Sequence, residues 1–192
     1  MTIFNEDWYS DGQCKDLVML LQSVKDILGS IIEIGCWEGK STISLTNTAY
    51  PQEVVCCDTW LGNITESEAQ GWEHVTVQIL KSRDVFSTFL NNMNESTKGN
   101  FKVVKEDCDS WLKTYNEPIK FCHLDASHDY ISVKRTLELL IPKVVSGGIL
   151  CGDDFVNASM NSQGLNGGVE GAVRELLPGF RNIGNLWWWV KP

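Results

Sequence analysis

"EIGCWEGKST", residues 33–42, sets Glu33, Gly35 and Gly39 between an apolar strand and the start of a helix. Glycines in such a turn let the backbone fold tightly and approach a bound ligand, whose polar groups meet the free N–H groups at the helix start. A G-x-x-x-G spacing is weak by itself. It gains weight from the next apolar run, "EVVCCD", which closes on Asp58. A carboxylate there can accept hydrogen bonds from both hydroxyls of a ribose, and ligands of such sheets lie in the crevice beyond the carboxyl ends of the strands.

Working outward, Leu17, Val18, Leu20, Leu21, Val24, Ile27 and Leu28 recur at helical spacing, and Gly29 stops that helix before "SIIEIG". Downstream, "GKSTISLTNTAY" predicts a helix. After "EVVCCD" follow a helix near residues 82–93, a strand "FKVVKED", a helix around "SWLKTY" and a strand "IKFCHLD". A helix "ISVKRTLELLIPKV", a strand "GGILCGD" and a helix near "GVEGAVRELL" complete the alternation, and "GFRNIGNLWWWV" predicts a hairpin turning at Gly184 and Asn185. Alternating strands and helices require a parallel sheet covered on both faces. The expected architecture is a single α/β domain over residues 1–192: a doubly wound, Rossmann-like sheet, mostly parallel, with an antiparallel C-terminal hairpin strand and helices on both faces. The long connection 59–81 reads either as a lid or substrate loop, or as a surface excursion with its own small helix.

Composition narrows the function. With 192 residues, 43% hydrophobic and 21% charged, the chain has the makeup of a globular domain. Its net charge of −9 opposes nucleic-acid binding, which needs clustered Lys and Arg. No apolar run reaches the roughly 20 residues that span a bilayer, and "MTIFNEDWYS" lacks the pattern of a signal peptide, so a cytoplasmic protein is expected, with no membrane partner. Seven cysteines without a C-x-x-C pair read as reduced core thiols.

Three strand ends carry acids in order: "EIGCWEG", Asp58 in "VVCCDTW", and Asp107 in "VVKEDCDSW". On these motifs the chain resembles the class I S-adenosylmethionine-dependent methyltransferases. The resemblance implies S-adenosylmethionine as cofactor, with the glycine loop beside it, Asp58 on the ribose, and Asp107 with Cys108 beside the adenine. Trp37 and Trp60 either flank that cofactor or pack against the sheet.

In the second half, "HLDASHDY" puts Asp125 at one strand end, and "GGILCGDDF" puts Asp153 and Asp154 at the next. Neighbouring strand ends bring these carboxylates together, and a hard divalent cation with oxygen ligands would relieve their repulsion. With "DTWLGN" and "GVEGAVREL", these segments resemble the small macrocin and cephalosporin-hydroxylase-like enzymes and the catechol-type O-methyltransferases. That resemblance implies Asp125, Asp153 and Asp154 as ligands of Mg²⁺, with Asp125 also at the cofactor, and a hydroxyl of a small molecule or saccharide as methyl acceptor. His128 is the candidate general base, since imidazole titrates near neutrality; a hydrogen-bonding or capping role is the alternative. Asp129 is expected to start the next helix, His123 to lie in the core, and His74 is left open. "WWW" at 187–189 predicts two rings on one face of a strand and one on the other, with an exposed ring as a candidate homodimer contact or carbohydrate platform. Two other readings stand: a non-catalytic cofactor-binding protein, and a metal enzyme of this fold with different chemistry.

Overall fold

In the computed structural model, residues 2–6, 8–156 and 168–192 are described. Their elements run α1 (Asp11–Ser23), β1 (Ser30–Ile34), α2 (Lys40–Ala49), β2 (Val54–Cys57), α3 (Ile64–Gln70), α4 (Val75–Ser82), α5 (Val85–Ser96) and β3 (Phe101–Val104). Then come α6 (Cys108–Thr114), β4 (Ile119–Leu124), α7 (Tyr130–Leu140), β5 (Val144–Gly152), α8 (Gly168–Leu176), β6 (Arg181–Ile183) and β7 (Leu186–Val190).

The sheet order is β3-β2-β1-β4-β5-β7-β6. Every pairing from β3 to β5 is parallel, and β7 inserts antiparallel between β5 and β6. The winding therefore reverses between β1 and β4, the place where a doubly wound sheet opens a crevice. Strand residues alternate between two cores. Ile32, Ile34, Leu124, Leu150, Trp187 and Trp189 join Leu112, Val133 and Val173 of α6, α7 and α8. On the other face Ile31, Phe121 and Ile149 meet Leu17, Leu45 and Phe89 of α1, α2 and α5. This period of two is what buries both faces of a parallel sheet.

Several boundaries differ from the sequence expectations. Helix α1 ends at Ser23, capped at Val24, rather than running to Gly29. Helix α7 ends at Leu140 and β5 begins at Val144, because Pro142 has no N–H with which to continue the helix. The start of β5 stayed hidden because its glycines break the apolar run; Gly147 adopts φ +77° and its N–H bonds Lys191 O beside β7. The 59–81 connection holds two helices, α3 and α4, rather than one. In β7, Trp187 and Trp189 fill one core while Trp188 packs against the other, so no ring of the three stands free as a platform. All seven cysteines are free. Among the described residues no helix is long and apolar enough to cross a membrane.

Candidate active site

At the carboxyl ends of β1, β2, β4 and β5 lies a cavity of about 680 Å³. Its β1–β2 side is built on backbone geometry. Gly35, at φ +86°, lies so close to the β4 loop that a Cβ there would stand 1.8 Å from the carbonyl oxygen of Asp125. Only glycine fits. Asp58 then fastens the turn: its Oδ2 accepts from the N–H of Cys36 (2.8 Å) and Trp37 (3.0 Å), and Oδ1 from Trp60 (2.7 Å). Burial raises its pKa despite these three donors. Trp37 and Trp60 are held at φ 47° and 51°, a conformation bulky residues rarely take, and Trp60 Nε1 donates to Trp37 O at 2.9 Å.

Gly35, Trp37, Gly39, Asp58, Asp107 and Cys108 all line the cavity. Asp107 also caps α6, accepting from Ser110 N at 2.9 Å, and burial followed by the Asp109 charge pushes the Cys108 thiol up to about 12. Two expected cofactor contacts lie outside the lining. Glu33 is wholly buried within the sheet, 2.9 Å from Nδ1 of its strand neighbour His123, and Trp60 packs under the loop against Phe86 and Phe89. Strand alternation turns Glu33 inward, so its carboxylate orders the core beneath the loop. His123 is core, but as half of this pair: burial would lower its pKa, and Glu33 more than offsets that.

The β4–β5 side is built from charge. Ligand atoms of Asp125, His128 and Asp154 all lie within 4.8 Å of one another. His128 Nε2 stands 2.9 Å from Asp154 Oδ2 and 4.0 Å from Asp125 Oδ1. Burial beside the cavity, and then the Asp153 charge, pushes Asp125 up to about 7. Its side chain keeps about a quarter of its surface exposed, so the neighbouring acids matter alongside desolvation. Burial lowers the affinity of His128 for its proton, but Asp154 and Glu66 outweigh it and hold the imidazole well above its usual value.

Asp153 is the exception to the expected ligand set. It lines the cavity, yet Oδ2 accepts from Gln13 Nε2 at 2.7 Å, and Oδ1 has no partner. Trp187 explains the direction: its Nε1 donates to the Asp153 carbonyl at 3.2 Å, and its ring packs on Gly152, where a Cβ would come within 2.6 Å of it. Asp154, at φ 60°, carries its carboxylate back over the site. The donor cluster is therefore Asp125, His128 and Asp154. Two carboxylates and an imidazole this close, with Asp125 raised by burial and by the Asp153 and Asp154 charges, form a donor set suited to a divalent cation.

Several lining residues carry no sequence motif. Phe4, Glu6, Trp8 and Tyr9 reach the cavity from the N-terminal segment, which is anchored by Arg83 pairing with both Glu6 and Glu38. Glu66 of α3 is wholly buried; it accepts from the His128 N–H at 2.5 Å and lies 3.3 Å from His128 Nδ1. His74 caps α4, lines the cavity and sits 3.6 Å from Glu66. Asp129 caps α7 as expected, accepting from Ser132 N.

The fold is shared with solved structures. Cofactor-bound Rv0187 from MTB superposes with a TM-score of 0.67 at 17% identity, covering 97% of this chain and 82% of that one. The O-methyltransferase TomG from Streptomyces achromogenes, solved with SAM, gives 0.67 at 17%, covering 98% and 84%. CalS11, described as a TDP-rhamnose 3'-O-methyltransferase of calicheamicin biosynthesis, gives 0.59 at 18%, covering 94% and 80%. No curated protein matches the sequence. A family model described as a methyltransferase domain matches residues 32–155, from β1 through the acid pair after β5. On that match the chain belongs to the methyltransferase domain family.

Proposed function

We propose that the protein methylates a hydroxyl of a small molecule or saccharide, with Mg²⁺ held at Asp125 and Asp154. The observation that carries this reading is that one cavity joins the glycine-loop cradle to the Asp125–His128–Asp154 cluster. Structural neighbours described as O-methyltransferases support the acceptor atom, and CalS11 supports a sugar hydroxyl among the candidates.

The cofactor would lie across the Gly35–Gly39 turn, its ribose at Asp58 and its adenine beside Asp107 and Cys108. A sulfonium methyl is already activated, so the chain's main task is alignment for in-line displacement. When bound, the cofactor would supply its methyl to the acceptor oxygen as the carbon–sulfur bond breaks, leaving S-adenosylhomocysteine. A divalent cation at this cluster would lower the pKa of the acceptor hydroxyl. His128 Nε2 faces the same acids; Asp154 and Glu66 hold its proton at rest, and a cation drawing Asp154 away would free the imidazole to accept the proton released by the hydroxyl.

The test is methyl transfer from labelled S-adenosylmethionine to a panel of hydroxylated acceptors, with and without chelator. We expect product that chelator abolishes and Mg²⁺ restores. Product formed equally in chelator would overturn the metal role, and cofactor binding with no transfer to any acceptor would favour a non-catalytic protein.

A further inference from the structure

We propose that the cavity selects an uncharged, ring-bearing acceptor seated on an apolar rim, and rejects acceptors that carry phosphate. This rests on the methyl-transfer reading and specifies its substrate class.

Large apolar side chains exposed singly on a surface are ordinary; several exposed around one opening mark a binding site. Trp8, Leu61, Ile64 and Val75 line the cavity and remain 51%, 59%, 44% and 46% exposed. They come from two segments distant in sequence, the N-terminal segment and the α3–α4 excursion. Trp8 is also backed by Trp37, with ring centroids 5.3 Å apart, so it is a braced surface on which a ring can lie.

Charge decides what that ring can carry. Among the described residues, eight carboxylates line the cavity and Lys40 is the one lysine or arginine of its lining. Lys40 lies 3.4 Å from Asp11. Cations near this end of the sheet are committed elsewhere: Arg83 to Glu6 and Glu38, Lys81 to Glu73, and Lys105 over the Phe86 ring at 4.0 Å. Residues 157–167 contain no Lys or Arg in their sequence. A phosphate group needs charge-assisted donors; His128, the other cationic side chain of the wall, is engaged by Glu66 and Asp154, so the wall offers a phosphate mostly acceptors. For a neutral hydroxylated ring the wall is apt. Tyr9, only 7% exposed, lines the same cavity, and its buried hydroxyl has no hydrogen-bond partner in the protein.

The test is calorimetric titration of the protein saturated with S-adenosylhomocysteine, using two matched pairs. One is 3-(3,4-dihydroxyphenyl)propanol against its phosphate monoester, which differ by the phosphate alone. The other is 4-nitrophenyl rhamnoside against thymidine diphosphate rhamnose, which share the sugar. We expect the neutral member of each pair to bind at least about tenfold tighter, and Trp8→Ala or Leu61→Ser to weaken it about fivefold or more. Leu61→Lys should narrow the gap within each pair. Equal or tighter binding of the phosphorylated members, no binding by either neutral probe, or unchanged affinity in both rim variants would overturn the proposal. The S-adenosylhomocysteine titration in the same preparations separates failures: its loss would break the methyltransferase reading, whereas its persistence with reversed preference would break only the acceptor assignment.

Discussion

The two sides of the cavity are held together by opposite means. On the β1–β2 side, Asp58 is met by three backbone N–H groups, and Gly35 wedges against the next loop with no room for a side chain. On the β4–β5 side, Asp125 is driven toward neutrality, Asp153 Oδ1 has no hydrogen-bond partner, and Asp154 sits at positive φ. One side is a finished cradle. The other holds polar groups that the protein alone does not satisfy, an arrangement folded chains keep where a ligand completes it.

The most damaging way to break this comparison is Gly35→Ala, which drives a methyl into the Asp125 backbone and so couples the two sides sterically. We expect a loss of at least about 4 kcal/mol in urea denaturation, together with cofactor binding. Asp58→Ala comes next. It strips three N–H groups of a charged acceptor at once, for a loss on the order of 3 kcal/mol, and should abolish the stabilisation given by S-adenosylhomocysteine.

Asp125→Asn sharpens the contrast by having the opposite sign. Because Asp125 holds its proton to about pH 7 when folded, against an ordinary value of 3.8, its stabilising contribution is complete below pH 4 and is lost as pH rises through 7. In chelator the variant should therefore melt above the parent at pH 8, with the difference disappearing toward pH 4; a variant that melts lower at pH 8 would contradict the repulsion. The smallest effect belongs to Trp187→Phe, which removes the donor to the Asp153 carbonyl. We expect a cost of about 1 kcal/mol by thermal unfolding and weaker cation binding, with cofactor binding unchanged.

The same contrast explains what the sequence made legible. Strand-end residues announce themselves through apolar runs and glycines, so Gly35, Gly39, Asp58, Asp125 and the Asp153–Asp154 pair could be placed by reading along the chain. Orientation was not legible in that way. Which of two adjacent aspartates faces the cluster depends on Trp187 and Gln13, which lie 34 and 140 residues from Asp153. Glu33 fits a strand-end motif, yet its direction is fixed by His123 on a neighbouring strand. Glu66 and Tyr9 sit in segments with no motif, and only tertiary packing brings Glu66 to His128 and Tyr9 to the cavity. A buried glutamate in a polar stretch such as "ITESEAQ" gives no sequence signal, since exposed glutamates are the rule in such helices.

The central claim is that the cradle binds the cofactor and the acid cluster binds a divalent cation, as separable functions of one cavity. Thermal unfolding with S-adenosylhomocysteine, with and without Mg²⁺, on the parent, Asp58→Ala and Asp154→Asn tests it most directly. At about 100 times its dissociation constant the ligand should raise the parent's Tm by about 5 to 10 °C, with a further rise on adding Mg²⁺. Asp58→Ala should lose the first rise, and Asp154→Asn should keep the first and lose the second. A parent that does not respond to S-adenosylhomocysteine, or a Mg²⁺ effect that survives in Asp154→Asn, would contradict the account.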